Sequence, residues 1–561
     1  MAALRDTGKY GRFYRDGPVT LATSALTKLI PGEFKWPACP GKSGAKQWSF
    51  GLAAHFPSIF WYPAPPFHSF MPDPSRQKSE RLPVRSLTAG VASSIIAREA
   101  DKSCMIEKTA LKELAAKVGR EKVFSDREYL LSYSYDATGL EYLPDAVVFA
   151  ESEEDVAGVM AVCRRHAVPL VPRGAGVGYT GGALAVRGGI VLVFTRMNRI
   201  QRLDPENLLA VVEPGVVTSD LQEAAERAGL FYPPDPASLK TSTIGGNIAE
   251  NAGGPRCFKY GVTGNYVLGL EAYLMGGEKI RLGAETIKNV AGYDLKSLLV
   301  GSEGTLAVVT RATLRLVPLP PRRLLFRVDF ASLEAGARFV QRIIQGHVQP
   351  SVLEFMDRSS LEAVYAYQQS PLDERVRAAV LVEVDGSAAE VGEREALFER
   401  QVAAALPLHR QRAETFAEQE ALWATRRNVS PAIARLKPKK INEDIVVPAG
   451  HIPEMVAFID GLAREFGMCI VLFGHIGDGN IHTNLMVDPD DPEEMKRAAV
   501  VLDRIFKRVV EVGGTISGEH GIGLSKMPFM HYQFSTLELD LFRRIKKVFD
   551  PDNLLNPGKI F

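Results

Sequence analysis

The sequence predicts an α+β protein built from at least two domains. Its 561 residues exceed what one hydrophobic core usually organises. From Asp145 onward, short apolar runs alternate with amphipathic helical patterns, as strands and helices do in mixed folds. Three prolines, Pro318, Pro320 and Pro321, interrupt this alternation and mark a domain boundary.

Composition and charge exclude several classes of function. The hydrophobic fraction of 46% and the charged fraction of 24% are typical of globular proteins. Net charge is +1, from 67 basic and 66 acidic side chains, so we expect no nucleic-acid partner. The five cysteines form no Cys-x-x-Cys pair, which argues against an iron–sulfur cluster held by this chain. No run of eighteen apolar residues occurs, and we expect no membrane span.

Residues 1–104 differ from the rest of the chain. They contain 14 Lys or Arg against 7 Asp or Glu, with clusters of aromatic residues and prolines and no sustained period. Three interpretations fit: a mitochondrial transit peptide, a disordered tail, or a start codon assigned too early, with Met105 as the true start. Without a transit peptide we expect a cytoplasmic protein, either free or peripheral to the inner membrane.

The first half of the chain contains the patterns of a strand-rich domain. The runs "DAVVFA", "PLVPRG", "GGIVLVF" and "LLAVVEPGV" are typical of strands, and "SEEDVAGVMAVCRRHAV" predicts a helix with a Ser-x-x-Asp start. "TSDLQEAAERAG" predicts a helix capped by Thr218 or Ser219 and closed by Gly229. "VLGLEAYLMGGEKI" predicts a hairpin that turns at Gly276–Gly277, before the strand "TLAVVTRATLRLVPLP".

The second half alternates strand and helix again, as a smaller α+β domain would. The runs "RLLFRVDF", "SVLEFMD" and "RAAVLVEVDG" predict strands, and "EEMKRAAVVLDRIFKRVVEVGG" predicts a long amphipathic helix. The predicted divisions are an N-terminal extension, a helical lead-in, a first domain, a second domain and a C-terminal segment, at residues 1–104, 105–143, 144–318, 322–545 and 546–561.

Three glycine-rich stretches point to a large ligand bound by the backbone. "PRGAGVGYTGGALAV", Pro172 to Val186, follows a strand and lets amides approach an anion closely, but a strand rather than a Rossmann helix comes after it. "TIGGNIAENAGGPRCFKYG", Thr243 to Gly261, has little side chain to fill a core. "TIKNVAGYDLKSLLVGSEGTLAVVT", Thr286 to Thr310, adds a third glycine-punctuated loop. For the first stretch alone the alternative is a flexible surface loop, and for the second it is an irregular glycine-rich connection.

Together these stretches resemble the flavin domain of FAD-linked oxidases related to vanillyl-alcohol oxidase and p-cresol methylhydroxylase. The likeness covers residues 121–561. It implies a two-subdomain FAD-binding domain, a smaller α+β substrate (cap) domain, and a C-terminal segment that returns to the FAD domain. It implies non-covalent FAD, because no histidine occurs between His166 and His347. The implied FAD contacts are Pro172, Arg173, Gly174, Ala175, Gly176, Gly178, Thr180, Gly181, Gly182, Gly246, Asn247, Asn251, Gly253, Gly254, Tyr260, Gly261 and Asn556.

The stretch "HIGDGNIH" places two histidines around a turn. If Asp478 and Gly479 form a two-residue hairpin turn, His475 faces His482 across the strands. Opposed residues point to the same face with Cβ atoms about 5 Å apart, so both imidazoles could bind one ion. The alternative is an exposed cross-strand pair without a ligand.

A second stretch, "GGTISGEHGIGLSK", supplies Glu519 and His520 on a tight loop. Two imidazoles and one carboxylate are a usual ligand set for a divalent transition metal. Both stretches resemble D-2-hydroxyglutarate dehydrogenases, D-lactate dehydrogenases and the flavin subunit of glycolate oxidase. That resemblance implies that His475, His482 and Glu519 hold zinc or a similar ion and that His520 is the acid/base.

The resemblance also implies residues that contact substrate. Asn484 follows the second histidine, and Arg426 in "LWATRRNVSPAI" corresponds to the carboxylate clamp. Relatives often have Arg-Glu at this point, where this chain has Arg426-Arg427. Lys440 and Ser430 are weaker candidates. For Lys440 and the nearby lysines at 437 and 439, a solvated basic loop is the alternative.

The function implied is FAD-dependent oxidation of an (R)-2-hydroxy acid to a 2-oxo acid. Electrons would pass to an external acceptor, such as an iron–sulfur subunit or an electron-transfer flavoprotein, and the enzyme could be a homodimer. Within the same chemistry, the chain could be a glycolate oxidase flavin subunit. Two alternatives of other classes are a transferase like alkyldihydroxyacetonephosphate synthase and a non-catalytic flavoprotein scaffold.

Overall fold

The structure, a computed structural model, describes residues 106–561. The predictions for residues 1–104 and for Met105 as a start site lie outside the described residues. Within the part of the chain that is described, every helix is too short or too polar to cross a membrane.

Strands of residues 106–561 form four sheets. They are β1 (Val123–Phe124), β2 (Ala146–Phe149), β3 (Leu170–Arg173), β4 (Ile190–Val193), β5 (Ile200–Asp204), β6 (Leu209–Val212), β7 (Leu230–Phe231), β8 (Val267–Tyr273), β9 (Lys279–Gly283), β10 (Val308–Arg315), β11 (Val317–Pro318), β12 (Arg322–Phe330), β13 (Val352–Asp357), β14 (Ala378–Gly386), β15 (His409–Ala413), β16 (Lys439–Val446), β17 (Cys469–Gly474) and β18 (Asn480–Val487).

Helices lie between and around these sheets. They are α1 (Lys108–Val118), α2 (Arg127–Ser132), α3 (Glu153–His166), α4 (Thr218–Arg227), α5 (Ile244–Glu250), α6 (Cys257–Tyr260), α7 (Leu295–Leu299), α8 (Leu333–Gln345), α9 (Arg358–Tyr367), α10 (Ala388–Ala405), α11 (Phe416–Arg427), α12 (Val429–Ile433), α13 (Ile452–Phe466), α14 (Pro492–Glu511), α15 (Met530–Gln533) and α16 (Thr536–Phe549).

The first sheet has the order β1-β2-β4-β3, with β2, β4 and β3 parallel. Strand β2 is an uninterrupted apolar run because both of its faces are buried, one against α1 and α3. Helix α3 begins as predicted, since Ser152 and Asp155 form a reciprocal capping box.

The second sheet, β5-β6-β10-β8-β9, is antiparallel, and one of its faces packs on α4 and α5. The predicted hairpin turn is present, with the amide of Gly277 donating to Leu274. The predicted cap of α4 is wrong: the helix begins at Thr218 and Val217 precedes it without a side-chain cap. The hydroxyl of Thr218 instead hydrogen-bonds to Ser242, which joins α4 to the next segment.

The third sheet consists only of β11 and β7, which pair antiparallel. The fourth sheet is the largest in the described chain, with the order β15-β12-β14-β13-β17-β18-β16 and antiparallel pairing throughout. One face packs on α8, α10, α13 and α14, and the other on α9, α11 and α12. The sheet is therefore buried on both sides, although polar side chains interrupt it at β16 and β18.

The C-terminal residues pack on the first sheet. The amide of Leu170 donates to Leu554 at 2.8 Å, and the amide of Asn556 donates to Leu170 at 2.7 Å. The ammonium group of Lys559 donates to the carbonyl of Leu184 at 2.6 Å, beyond the glycine-rich loop. The end of the chain thus fixes that loop against β3.

Candidate active site

The turn between His475 and His482 is longer than the two-residue turn that the sequence predicts. Residues Ile476–Asp478 form a 3₁₀ turn, and the β17–β18 register pairs His482 with Phe473 rather than with His475. The two-residue hairpin prediction is therefore wrong. Glycine is required in this turn, because Gly479 has φ +85° and a Cβ on it would be 1.9 Å from the carbonyl oxygen of Val447.

The turn nevertheless brings both imidazoles to one carboxylate. Their ring centroids are 5.0 Å apart. Nε2 of His475 lies 3.3 Å from Oε1 of Glu519, and Nε2 of His482 lies 3.5 Å from the same oxygen. Both histidines are buried, and one donor atom from each residue falls within 4.8 Å of the other two. The three side chains expected to form a metal site are thus found together.

The sequence did not point to Glu354, a fully buried carboxylate in β13. One of its oxygens accepts a hydrogen bond from Nδ1 of His475, and the other accepts from Nε of Arg426. Burial alone would lower the pKa of His475, but Glu354 and Glu519 together raise this pKa well above its usual value. The sequence feature that could have indicated Glu354 is the presence of a single glutamate within the otherwise largely apolar strand "SVLEFMD".

Arg426, the predicted clamp, lies in the last turn of α11 and is buried. Its guanidinium carbon is 4.7 Å from the centroid of the Phe473 ring, which itself lies beside His482. Arg427 points elsewhere and pairs with Glu420 at 2.6 Å on the surface. Of the two adjacent arginines, the structure thus places Arg426 at the histidine pair.

Polar residues line one face of the sheet beside the histidines. In the β16–β18 register, Asp444 opposes His482, Asn442 opposes Asn484, and Lys440 opposes Met486. Opposed residues share a face, so Lys440, Asn442, Asp444, His482 and Asn484 all project from it. The side-chain oxygen of Asn484 is buried and has no hydrogen-bond partner among the described residues.

Lys440 does not lie in a solvated loop. Its ammonium group donates to Ser430 at 3.0 Å and lies 5.1 Å from the centroid of the Tyr179 ring. Burial lowers the pKa of Lys440 to about 8. Of its two neighbours, Lys437 pairs with Glu494 and Lys439 opens β16.

His520 completes the cluster. Its ring stacks on His482 with centroids 5.2 Å apart and an interplanar angle of 11°, and Tyr179 lies 5.2 Å away on another side. Burial lowers the pKa of His520 below its usual value, although Asp444 and Glu519 oppose this shift. Burial, together with the neighbouring charge of His475, also lowers the pKa of His482. Both rings therefore favour the neutral form.

The glycine-rich loop after β3 has backbone amides that are available to a ligand. From residue 174 to residue 183, no amide N–H donates a hydrogen bond to a described residue. The polar side chains of this stretch serve the protein: Arg173 donates to the carbonyl of Tyr135 at 2.7 Å, and Thr180 donates to that of His520 at 3.1 Å. A Cβ on Gly174 would be 2.3 Å from Oγ1 of Thr243, so the loop can follow this path only with glycine there.

The predicted flavin residues outside that loop also use their side chains internally. Asn247 donates to Thr218, Asn251 accepts from the amide of Gly264, Tyr260 donates to Asp385, and Asn556 donates to the carbonyl of Gly182. Gly253 lies against the carboxylate of Glu519, since a Cβ on Gly253 would be 2.6 Å from Oε2 of Glu519. The remaining glycines of the predicted set in this segment are Gly246, Gly254 and Gly261.

The third predicted flavin stretch divides into two parts. Residues 284–294 are exposed, including Val290 and Tyr293. The following part packs against α5, where the amides of Gly301 and Glu303 donate to Ile248 and Ala249. Only this second part lies beside the asparagine–glycine segment.

Comparison with known proteins identifies the family. A family model described as "FAD binding domain" matches residues 144–283, and one described as "FAD linked oxidases, C-terminal domain" matches residues 319–560. The glycolate oxidase subunit GlcD of Bacillus subtilis (strain 168) is 42% identical over 82% of this chain and 97% of its own length. The chain belongs to the FAD-linked oxidases. It is thus an FAD-linked oxidoreductase, as the glycine-rich stretches indicated.

Two further likenesses place this FAD-linked oxidase. D-lactate dehydrogenase of Anaerostipes hadrus is 35% identical over 81% of this chain and 97% of its own length. Among solved structures, p-cresol methylhydroxylase with bound substrate is 18% identical, covers 81% of this chain and 96% of its own, and has a TM-score of 0.69. The second likeness shows that the two proteins share a fold.

The site of this FAD-linked oxidase has donor groups that fit FAD and a divalent cation. The free amides of residues 174–183 are the donors that a pyrophosphate needs. Two imidazole nitrogens and a carboxylate oxygen that converge from three chain segments are a suitable donor set for zinc or a similar divalent cation. A hydrogen-bonded carboxylate behind a ligating histidine, here Glu354 behind His475, is a common feature of such sites.

Proposed function

We propose that this protein oxidises an (R)-2-hydroxy acid to a 2-oxo acid with non-covalent FAD and a divalent cation held by His475, His482 and Glu519. The observation that carries the proposal is the convergence of these three side chains beside His520 and Gly253. It joins a metal-type donor set, a candidate base and the flavin segment in one place. The names of the two relatives, a glycolate oxidase subunit and a D-lactate dehydrogenase, support the substrate class.

The bound groups would supply two kinds of chemistry that side chains lack. When present, FAD provides a two-electron acceptor, and the cation provides positive charge that stabilises the substrate oxygen as it loses its proton. His475 and His482 would hold the cation through their Nε2 atoms, which both face Glu519. Glu354 accepts the Nδ1 proton of His475, which leaves Nε2 as the nitrogen that would ligate. The second proton, which the raised pKa of His475 favours in the absence of a cation, would be displaced on ligation.

The carboxylate of the substrate would be oriented by cationic and amide groups. Arg426 can use the outer nitrogens of its guanidinium, since its Nε is bonded to Glu354. Lys440 and Asn484 extend from the same sheet face as His482. The unpartnered oxygen of Asn484 can accept a hydrogen bond from a substrate hydroxyl.

His520 would remove the hydroxyl proton. Its lowered pKa keeps the ring neutral near pH 7, as a base requires. Its Nε2 lies on the side of Glu519, at 3.9 Å from Oε1. The proton moves to Nε2, two electrons leave with the hydrogen on carbon 2, and a 2-oxo acid remains. Loss of that hydrogen as a hydride would need a two-electron acceptor, which FAD would supply when bound.

Electrons would then leave to a separate acceptor, either an iron–sulfur subunit or an electron-transfer flavoprotein. The described cysteines, Cys163, Cys257 and Cys469, are unpaired and scattered, so they form no cluster-binding set. The relative from Bacillus subtilis is itself named a subunit, which supports a partner protein. A homodimer remains a prediction.

Anaerobic flavin bleaching tests the proposal. We expect that glycolate, D-lactate or D-2-hydroxyglutarate bleaches the yellow enzyme, and that L-lactate does not. Absence of bleaching by the whole panel would favour the scaffold or transferase alternative. Rapid bleaching by glycolate, with turnover only after a purified iron–sulfur partner is added, would identify the glycolate oxidase type.

A further inference from the structure

Asp444 occupies a position that the roles above do not use. It lies in β16, is fully buried and opposes His482 in the strand register. Its side chain projects from the same sheet face as His482, towards the loop that carries Glu519 and His520. A buried carboxylate is costly unless several donors satisfy it, so its partners indicate what it does.

Three consecutive amides of that loop converge on one oxygen. Oδ2 of Asp444 accepts hydrogen bonds from the N–H groups of Gly518 at 2.8 Å, Glu519 at 2.6 Å and His520 at 3.0 Å. The loop can approach this closely because Gly518 has no side chain, since a Cβ there would be 2.4 Å from Nδ2 of Asn480. One carboxylate thus fixes the backbone of a metal-site residue and of the candidate base.

The other oxygen faces the ring of His520. Oδ1 of Asp444 lies 3.4 Å from Nδ1, and that nitrogen is buried without a hydrogen-bond partner. Catalytic hydrogen bonds are often long in unliganded sites and shorten with substrate. Lys526, also fully buried, pairs with the same oxygen and balances the charge of Asp444.

We propose that Asp444 is a positioning residue that fixes Glu519 and His520 at the metal site and keeps the proton of His520 on Nδ1. Nε2 of His520 is then the ring nitrogen that accepts the substrate proton. An Asp–His pair has this effect in other enzymes that use a histidine base. The role of Asp444 toward the substrate proton rests on the proposed function. Its role in positioning Glu519 does not.

The neighbouring residue Glu443 offers a matched control. It lies on the same strand and is also buried, and its carboxylate lies 3.7 Å from the ammonium group of Lys526. It points to the opposite face of the sheet and makes no hydrogen bond to the loop of residues 517–520. Glu443→Gln therefore removes a buried carboxylate beside Lys526 without touching the loop.

The test compares Asp444→Asn with Glu443→Gln in the full-length, FAD-loaded enzyme. Asparagine keeps the shape of the side chain but has one acceptor oxygen and one NH2 group. The single oxygen cannot accept hydrogen bonds both from the loop amides and from Nδ1 of His520. We expect Asp444→Asn to weaken Zn²⁺ affinity in a chelator competition by at least about tenfold, a typical effect for residues that hold metal ligands. We expect flavin reduction by the best substrate to slow at least about 100-fold, with the substrate Kd changed by less than about threefold. Glu443→Gln should leave Zn²⁺ affinity and the reduction rate within about threefold of the parent.

Asp444→Glu is the second variant, used because loss of charge beside Lys526 could prevent folding. It keeps the charge but moves the carboxylate by one methylene, and we expect the same losses together with an altered EPR spectrum of the Co²⁺-loaded enzyme. Normal Zn²⁺ affinity and reduction rate in either folded variant would overturn the proposal, as would equal losses in Glu443→Gln. If no 2-hydroxy acid reduces the parent enzyme, the proposed function fails, and the Zn²⁺ comparison still decides whether Asp444 positions Glu519.

Discussion

Replacement of Glu354 by glutamine should separate metal binding from folding. Glutamine has the same shape, but it presents one acceptor oxygen and one NH2 group where the carboxylate presents two acceptors. If the oxygen keeps Arg426, the NH2 group faces Nδ1 of His475 and forces the ring proton onto Nε2. Nε2 is the nitrogen that faces Glu519, so the ring can no longer ligate a cation from that side.

The structure sets the size of both effects. Glu354 and Arg426 form a buried ion pair, and loss of one partner from such a pair costs about 3 to 5 kcal/mol of unfolding free energy. Loss of the carboxylate behind a ligating histidine typically weakens metal affinity or activity about 10- to 100-fold. We therefore expect Glu354→Gln to lose about 3 kcal/mol of unfolding free energy and at least about tenfold in Zn²⁺ affinity.

Asp357→Asn is the matched control for this prediction. Asp357 is a buried carboxylate on the same strand, but it accepts from the backbone amides of Ser360 and Leu472. Urea unfolding of the two variants should show destabilisation in both. Competition with a chromophoric chelator should show weaker Zn²⁺ binding only in Glu354→Gln. Unchanged Zn²⁺ affinity in Glu354→Gln, or an equal loss in Asp357→Asn, would refute the reasoning.

Three further outcomes follow from the site. His520→Ala should be folded and yellow but be reduced at least about 100-fold more slowly by substrate in stopped-flow absorbance, and near-normal reduction would remove His520 from the mechanism. Burial lowers the pKa of Lys440 to about 8, so the ammonium group loses its charge as the pH passes above about 8, and KM should rise in that range. Lys440→Met should have a raised KM that does not change between pH values below and above about 8. Acid precipitation should release all FAD into the supernatant, whereas a yellow pellet would contradict non-covalent binding.

Much of the fold could be predicted because its signals are local. The apolar run of β2, the capping box of α3 and the Gly276–Gly277 turn each depend on a few neighbouring residues. The cap of α4 was missed because Thr218 hydrogen-bonds to Ser242, which is distant in sequence. The turn after His475 was missed because Gly479 packs against Val447, which is distant in sequence, and the local Asp-Gly pattern carries no information on that contact.

The candidate site was predictable where residues lie in distinctive short motifs and not where they act through space. His475, His482 and Glu519 belong to such motifs, and the structure brings them together. Glu354 lies in an otherwise apolar strand, and only the sheet order places it behind His475. The sequence carries only a weak indication of Asp444. In "KINED", Asp444 lies four residues after Lys440, a spacing that places both side chains on the same face of a strand.

The most direct test of the central claim is anaerobic stopped-flow reduction of the flavin, before and after removal of metal. The metal-loaded enzyme should be reduced by D-lactate, glycolate or D-2-hydroxyglutarate, should lose that reactivity after dialysis against EDTA, and should regain it with Zn²⁺ or another divalent cation. An enzyme that is reduced equally fast with and without metal would contradict the metal site formed by His475, His482 and Glu519. An enzyme that no 2-hydroxy acid reduces in the metal-loaded state would contradict the proposed reaction itself.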